Sequence, residues 1–244
     1  MRPLSVAQLL DAWERGLSEP VCRRVFPVLA AAFANCPVDE LDALSIGERD
    51  RRLLTLRAST FGSQLASVAG CSGCGEVLEW EIETVDLLMD QPAASPGELS
   101  IDVDNYHVRF RLPNTLDLAS ISNYQDASPA RGRLLENCIS GAQHKGEQIS
   151  SRALPDSITT EIAKRMAEAD PQADLEVDLS CPSCGEQWQA KFDIESFFWT
   201  ELSAWAQRIL LEVHSLARAY GWSESDILNL SPWRRQFYLG MAGT

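Results

Sequence analysis

Along residues 4–69 apolar side chains recur at intervals of three and four, the period of a helix with one buried face. The spacing predicts a first helix over 6–17, capped by Ser5 and carrying Leu9, Leu10, Trp13 and Leu17 on one side. Pro20 breaks it. A second helix resumes over 21–35 with Val25, Leu29, Ala32 and Phe33, and Pro27 either kinks it or marks its true first turn. Cys36-Pro37 interrupts again. A third helix is predicted over 38–44. Ser45 with Glu48 reads as a capping box that opens a fourth, bearing Leu53, Leu54, Leu56 and Phe61. Nothing in this stretch requires chemistry; it reads as a helical bundle.

At Cys71 the period changes from helical to alternating. Residues 77–82 read as a half-buried strand, 91–97 with its two prolines as a loop, and 101–112 as a second strand stretch with Val103, Tyr106, Val108, Phe110 and Leu112. Helices are predicted over 116–124, over a segment ending at Cys138 with Ser128 as N-cap and Pro129 in its first turn, and over 155–169. A polar loop is expected over 140–148 and a strand over 187–194. The longest helix is predicted over 196–220, where Phe198, Leu202, Trp205, Ile209, Val213, Leu216 and Tyr220 form one continuous stripe that Gly221 ends. Ser223 and Ser231 begin two short helices, the second with Pro232 in its first turn, and Trp233, Phe237 and Tyr238 give this tail an aromatic face.

Charge separates these regions. The 244-residue chain carries 21 Lys and Arg against 35 Asp and Glu, a formal net charge of −14. Residues 1–70 and 199–244 are each balanced, so the excess lies in residues 71–198, with 9 basic against 23 acidic side chains. An acidic middle repels phosphate backbones and disfavours nucleic acid; basic partners or plain solubility fit it better. No apolar run reaches the roughly 18 residues of a membrane span, and the first ten residues lack the features of a signal peptide. Synthesis in the cytoplasm is the expectation.

Seven cysteines without a secretion signal argue against a disulfide framework. Cys22, Cys36 and Cys138 sit in apolar or helical surroundings and read as small packed hydrophobes. The other four form two knuckles, Cys71-Ser72-Gly73-Cys74-Gly75-Glu76 and Cys181-Pro182-Ser183-Cys184-Gly185-Glu186, each followed by a strand. Two thiolates in a CxxC turn can share one ion, and two such turns complete a tetrahedron. The glycine after each second cysteine lets the backbone fold under the metal. One structural metal on Cys71, Cys74, Cys181 and Cys184 is therefore expected, zinc first and rubredoxin-like iron second. Four thiolates leave no open coordination position for catalysis. A redox dithiol fits poorly, because each pair opens a strand rather than a helix. His107, His144 and His214 are scattered, and no GxxxxGK[ST], GxSxG or HExxH motif occurs.

These readings combine into a mainly α fold with a small β zinc ribbon: a helical body plus a four-cysteine ribbon carrying a long α/β insertion. The expected domains are an N-terminal helical region over 1–70, a ribbon over 71–195 with an acidic insertion at about 90–178, and a C-terminal helical region over 196–244 packing on the N-terminal one.

Four stretches together resemble a known family: Leu10-Asp11-Ala12-Trp13-Glu14-Arg15-Gly16-Leu17, the two knuckles, the segment from His214 to Leu228, and Leu230-Ser231-Pro232-Trp233-Arg234-Arg235-Gln236-Phe237-Tyr238-Leu239. They are similar to the baseplate hub assembly-chaperone proteins of contractile phage tails and related contractile injection systems. The resemblance implies a protein without catalysis that binds hub, spike or tail-tube components during baseplate assembly, and a place in a tail-like particle or its assembly intermediates. On that reading the partner contacts fall on Trp222, Trp233, Arg234, Arg235, Phe237 and Tyr238, Arg beside aromatics being a hot-spot composition. The alternative from another class is a zinc-ribbon nucleic-acid-binding protein, for which a basic groove is missing. An unrecognised hydrolase has no constellation behind it.

Overall fold

The computed structural model describes residues 1–89 and 97–243; the loop expected over 91–97 lies, Gly97 apart, outside them. The chain divides into two compact units, one of residues 1–35 and 195–244, the other of residues 36–194.

The first unit is helical. α1 (Val6–Gly16) begins with a complete capping box between Ser5 and Gln8 and buries Leu9, Leu10 and Trp13. After a 3-10 turn at Val21–Arg23, α2 (Phe26–Ala32) places Pro27 in its first turn, where a missing N–H costs nothing. α8 (Ile194–Tyr220) turns Phe198, Leu202, Ala206, Ile209 and Leu216 inward, and the Trp13 indole donates to the Ser203 hydroxyl at 3.2 Å. Gly16 is required at its position: a Cβ there would lie 2.3 Å from the Arg24 carbonyl oxygen and 2.7 Å from the Trp199 ring. α9 (Glu224–Leu228) and α10 (Pro232–Ala242) are capped by Ser223 and Ser231.

The second unit holds α3 (Val38–Asp42), α4 (Ile46–Phe61), α5 (Thr115–Ile121), α6 (Ala127–Cys138), α7 (Asp156–Ala169) and every strand among the described residues. β1 (Gln64–Gly70) and β2 (Val77–Glu83) form one antiparallel hairpin, and β7 (Glu176–Ser180) and β8 (Gln187–Lys191) form another. Between them in sequence, β3 (Leu99–Val103), β4 (Tyr106–Phe110), β5 (Ile139–His144) and β6 (Glu147–Gln148) make a four-stranded antiparallel sheet. Phe110, Val108, Leu135, Ile158 and Ile162 fill the core that this sheet shares with α6 and α7.

The predicted class, mainly α with one small ribbon, is overturned. Helix accounts for about 54% and strand for about 19% of the described residues, the strand lying in three separate sheets. The fold is mixed α and β. Each knuckle is the turn of its own hairpin, and the two hairpins do not join into one hydrogen-bonded ribbon. The stretch read as one strand over 101–112 is a hairpin, reversed at Asp104-Asn105, both in the left-handed region at φ 48° and 63°. The loop expected over 140–148 is β5 and β6, joined at Lys145-Gly146 with φ 51° and 86°.

Three bonding groups set where the hairpins stand. The Arg57 guanidinium donates to the carbonyls of Gly62 and Gln64 at 2.7 and 2.6 Å, fixing β1 to the end of α4. Fully buried Gln172 accepts from the Met89 amide at 2.8 Å and donates to the Leu87 carbonyl at 3.0 Å, so the chain leaving the first hairpin is fastened to the chain entering the second. Asp170 accepts from the Gly47 amide at 2.9 Å. Beside it, buried Asp50 accepts from Arg49 at 2.8 Å, yet burial pushes its carboxyl from an ordinary 3.8 up to about 6.

Gly16→Ala forces α1 away from Arg24 and Trp199 and lowers stability by about 1–3 kcal/mol. Gly132→Ala, in the open interior of α6, raises it by about 0.5–1 kcal/mol; urea unfolding of the two variants reads both signs. Asp50 binds its proton more tightly folded than unfolded. Its contribution is therefore fully present below pH 3.8 and is lost as pH rises through about 6. Asp50→Asn should flatten that window in thermal melts taken from pH 4 to pH 7.

Candidate metal centre

The tips of the two hairpins carry the cysteines. In the first, the Cys71 amide donates to the Glu76 carbonyl at 2.8 Å and the Gly75 amide to the Cys71 carbonyl at 2.9 Å. In the second, Cys181 to Glu186 and Gly185 to Cys181 repeat the same bonds at the same distances. Gly75 and Gly185 stand at φ 76° and 77°, a conformation that a side chain would disfavour by about 1–2 kcal/mol. Identical local bonding in two segments more than a hundred positions apart makes the knuckles two halves of one device.

Their sulfurs converge. The four Sγ atoms lie within 4.8 Å of one another. Cys71 approaches Cys184 at 3.6 Å and Cys74 approaches Cys181 at 3.7 Å. A tetrahedron of Zn–S bonds of about 2.3 Å has edges of about 3.8 Å, so the cross-hairpin distances match one ion held by all four. Cys71 and Cys181 are buried at 4% and 2% exposure, whereas Cys74 and Cys184 face solvent. Leu78 and Trp188, the second strand residue after each knuckle, close over the buried pair.

Backbone amides face the sulfurs. The Gly73 N–H points at Cys71 Sγ at 3.4 Å. The amides of Cys184 and then Ser183 hold the Cys181 thiol down to about 7. At Cys184 the Glu186 amide lowers the pKa, but the neighbouring Cys74 and Cys71 sulfurs outweigh it and push the thiol up to about 12. Four sulfurs this close cannot all ionise unaided; a dication relieves that repulsion. The donor set and its spacing fit a thiolate-bound metal, held by these four cysteines without an open position.

The other sequence candidates fall elsewhere. Cys138 is buried in the sheet core, and burial pushes its thiol up to about 12, as for an inert packed cysteine. His107 pairs with Asp102 at 2.8 Å and His144 stacks on Tyr106 at 4.2 Å. In the tail, Arg235 is 3% exposed. It donates to Glu212 at 3.0 Å and to the Leu230 carbonyl, and Gln236 donates to the other Glu212 oxygen, so Arg235 anchors α10 rather than facing outward. Trp222 stacks on Tyr220 at 4.6 Å with Tyr238 edge-on to both. Trp233 and Phe237, 74% and 54% exposed, stack on each other at 5.6 Å, and Met241, 60% exposed, continues the row; Arg234 is also exposed. Sequence reading missed Gln172 and Met241. The first has no motif, and the second is visible only as the next member of a spacing of four.

Protein purified without chelator should contain one zinc equivalent by elemental analysis, with no iron–thiolate absorption. Cys181→Ser should abolish that equivalent and destabilise the second unit, since structural zinc contributes on the order of 10 kcal/mol in small peptides. Unchanged metal content in the variant contradicts shared coordination.

No helix among the described residues is long and apolar enough to cross a membrane. No curated protein and no solved structure gives a match to this chain. A family model described as T4 bacteriophage base plate protein matches residues 28–199, a span that holds both knuckles and everything between them. With well over half of its length inside that match, the chain belongs to the T4 bacteriophage base plate protein family.

Proposed function

We propose that this chain is a non-catalytic component of baseplate assembly in a contractile tail or related injection system, serving as a chaperone or structural part of the hub, with a structural zinc on Cys71, Cys74, Cys181 and Cys184. The observation that carries this reading is family membership across residues 28–199. The metal centre supports it: its chemistry suits holding a scaffold and leaves no coordination position for substrate.

Protein rather than nucleic acid is the partner class that the surface favours. The outer face of the first hairpin lines up Glu79, Glu81 and Glu83, all exposed, which repels a phosphate backbone. α10 offers the opposite character. Its exposed row of Trp233, Phe237 and Met241, spaced by four, is the pattern of a helix that lays an apolar face into a partner's groove, with Arg234 at its rim. Trp222 and Tyr238 support that row from behind, and Arg235 holds the helix by its pair with Glu212. We assign this face to a baseplate protein.

The test is Trp233→Ala with Phe237→Ala. Both rings are largely exposed, so circular dichroism and melting should stay near wild type while affinity for the hub partner falls about 30-fold or more, the scale of a lost hot spot. Tail particles should then fail to assemble in a host carrying only the variant. Normal assembly removes the docking role from α10, and a collapsed fold returns both rings to the core.

A further inference from the structure

The four sulfurs of the knuckles are arranged for a second way of closing. Each of the two short sulfur distances crosses between hairpins, Cys71 to Cys184 at 3.6 Å and Cys74 to Cys181 at 3.7 Å. Each also joins one buried cysteine to one that faces solvent. Oxidation of a thiolate starts where an oxidant can reach it, and a neighbouring sulfur then resolves the product. Cys184 and Cys74 are the reachable members; Cys71 and Cys181 are the resolving ones.

We propose that, when metal is lost to oxidation, the knuckles close as two cross-hairpin disulfides, Cys71–Cys184 and Cys74–Cys181, so that the segment between them stays tied at its base without an ion. The closure rests on the same convergence that supports the zinc assignment.

Peroxide supplies the oxidant class. An exposed thiolate attacks one peroxide oxygen, the O–O bond breaks, and a sulfenic acid forms as hydroxide leaves and is protonated. The buried thiolate then attacks the sulfenic sulfur; the S–S bond forms and the S–O bond breaks, releasing a second water after protonation. Twice over, four thiolates and one zinc ion with two hydrogen peroxides and four protons give two disulfides, one free zinc ion and four waters. Because both bridges join the hairpins to each other, the oxidised protein keeps the same long loop closed that the metal closes, a covalent constraint that stabilises chiefly through the unfolded chain.

The experiment treats the full-length, zinc-loaded protein with hydrogen peroxide. Zinc release is followed with a chromogenic indicator, and the product is digested without reduction for peptide mapping. One zinc should leave as two disulfides form, with peptides of Cys71 joined to Cys184 and of Cys74 joined to Cys181. The oxidised protein should melt within a few degrees of the zinc form and become insensitive to chelator, whereas the reduced, zinc-stripped protein melts well below both. Bridges within each knuckle, Cys71 to Cys74 and Cys181 to Cys184, overturn the proposal, as do sulfinic acids without cross-links or thiols that survive peroxide. If the purified protein holds no zinc yet forms the crossed bridges, the metal assignment falls and the closure stands. Bound zinc with bridges confined to each knuckle has the reverse meaning.

Discussion

Four sulfur atoms within 4.8 Å of one another bring the tips of two separate hairpins of the larger unit together. Cys74 and Cys181 are 107 positions apart, so bringing them together closes a loop that holds a four-stranded sheet and three α-helices. A closure of that length is entropically costly in an open chain, and it needs local geometry strong enough to hold at both ends. The matched knuckles meet that need with the same two backbone bonds and the same left-handed glycine. Gln172 performs a related task by hydrogen bonding alone, fastening the chain that leaves the first hairpin to the chain that enters the second.

The knuckles were legible in the sequence because everything that defines them is local: a CxxC turn, a glycine and a glutamate in a fixed order. The helices capped at Ser5, Ser45, Ser223 and Ser231 were legible for a similar reason. By contrast, α6 starts at Ala127 after Asp126 rather than at the expected cap Ser128, and the helix expected over 21–35 is a 3-10 turn followed by the shorter α2. Strands β1 and β7 were not. Gln64–Gly70 is built from small and mixed residues with no alternating apolar signature, and it becomes a strand by pairing with β2. β5 has the same cause: Ala142 is buried opposite Val108, yet nothing in Gly141-Ala142-Gln143 announces a strand. The Asp104-Asn105 turn was available as a signal, since both residue types tolerate the left-handed region.

The tail shows where composition misleads about direction. Arg234 and Arg235 are neighbours with identical chemistry, but Arg234 faces solvent while Arg235 is buried. Arg235 is fixed inward by a carboxylate 23 positions away, a partner that no local pattern reveals. The helix therefore carries one side held by Glu212 with Arg235 and Gln236, and an exposed side with Trp233, Phe237 and Met241. Burying the ion pair of a short helix this way fixes its orientation, since removing either partner strands a buried charge. A small helix too short to be stable alone is thereby made a rigid platform for exposed aromatic rings.

On the proposed coordination, both knuckles hold one ion together. X-ray absorption at the zinc edge reads that coordination directly. Shared coordination predicts a first shell of four sulfurs at about 2.3 Å with no nitrogen or oxygen, at one zinc per chain. A shell of two sulfurs and two lighter atoms, at two zincs per chain, would mean that each knuckle binds alone and would contradict it.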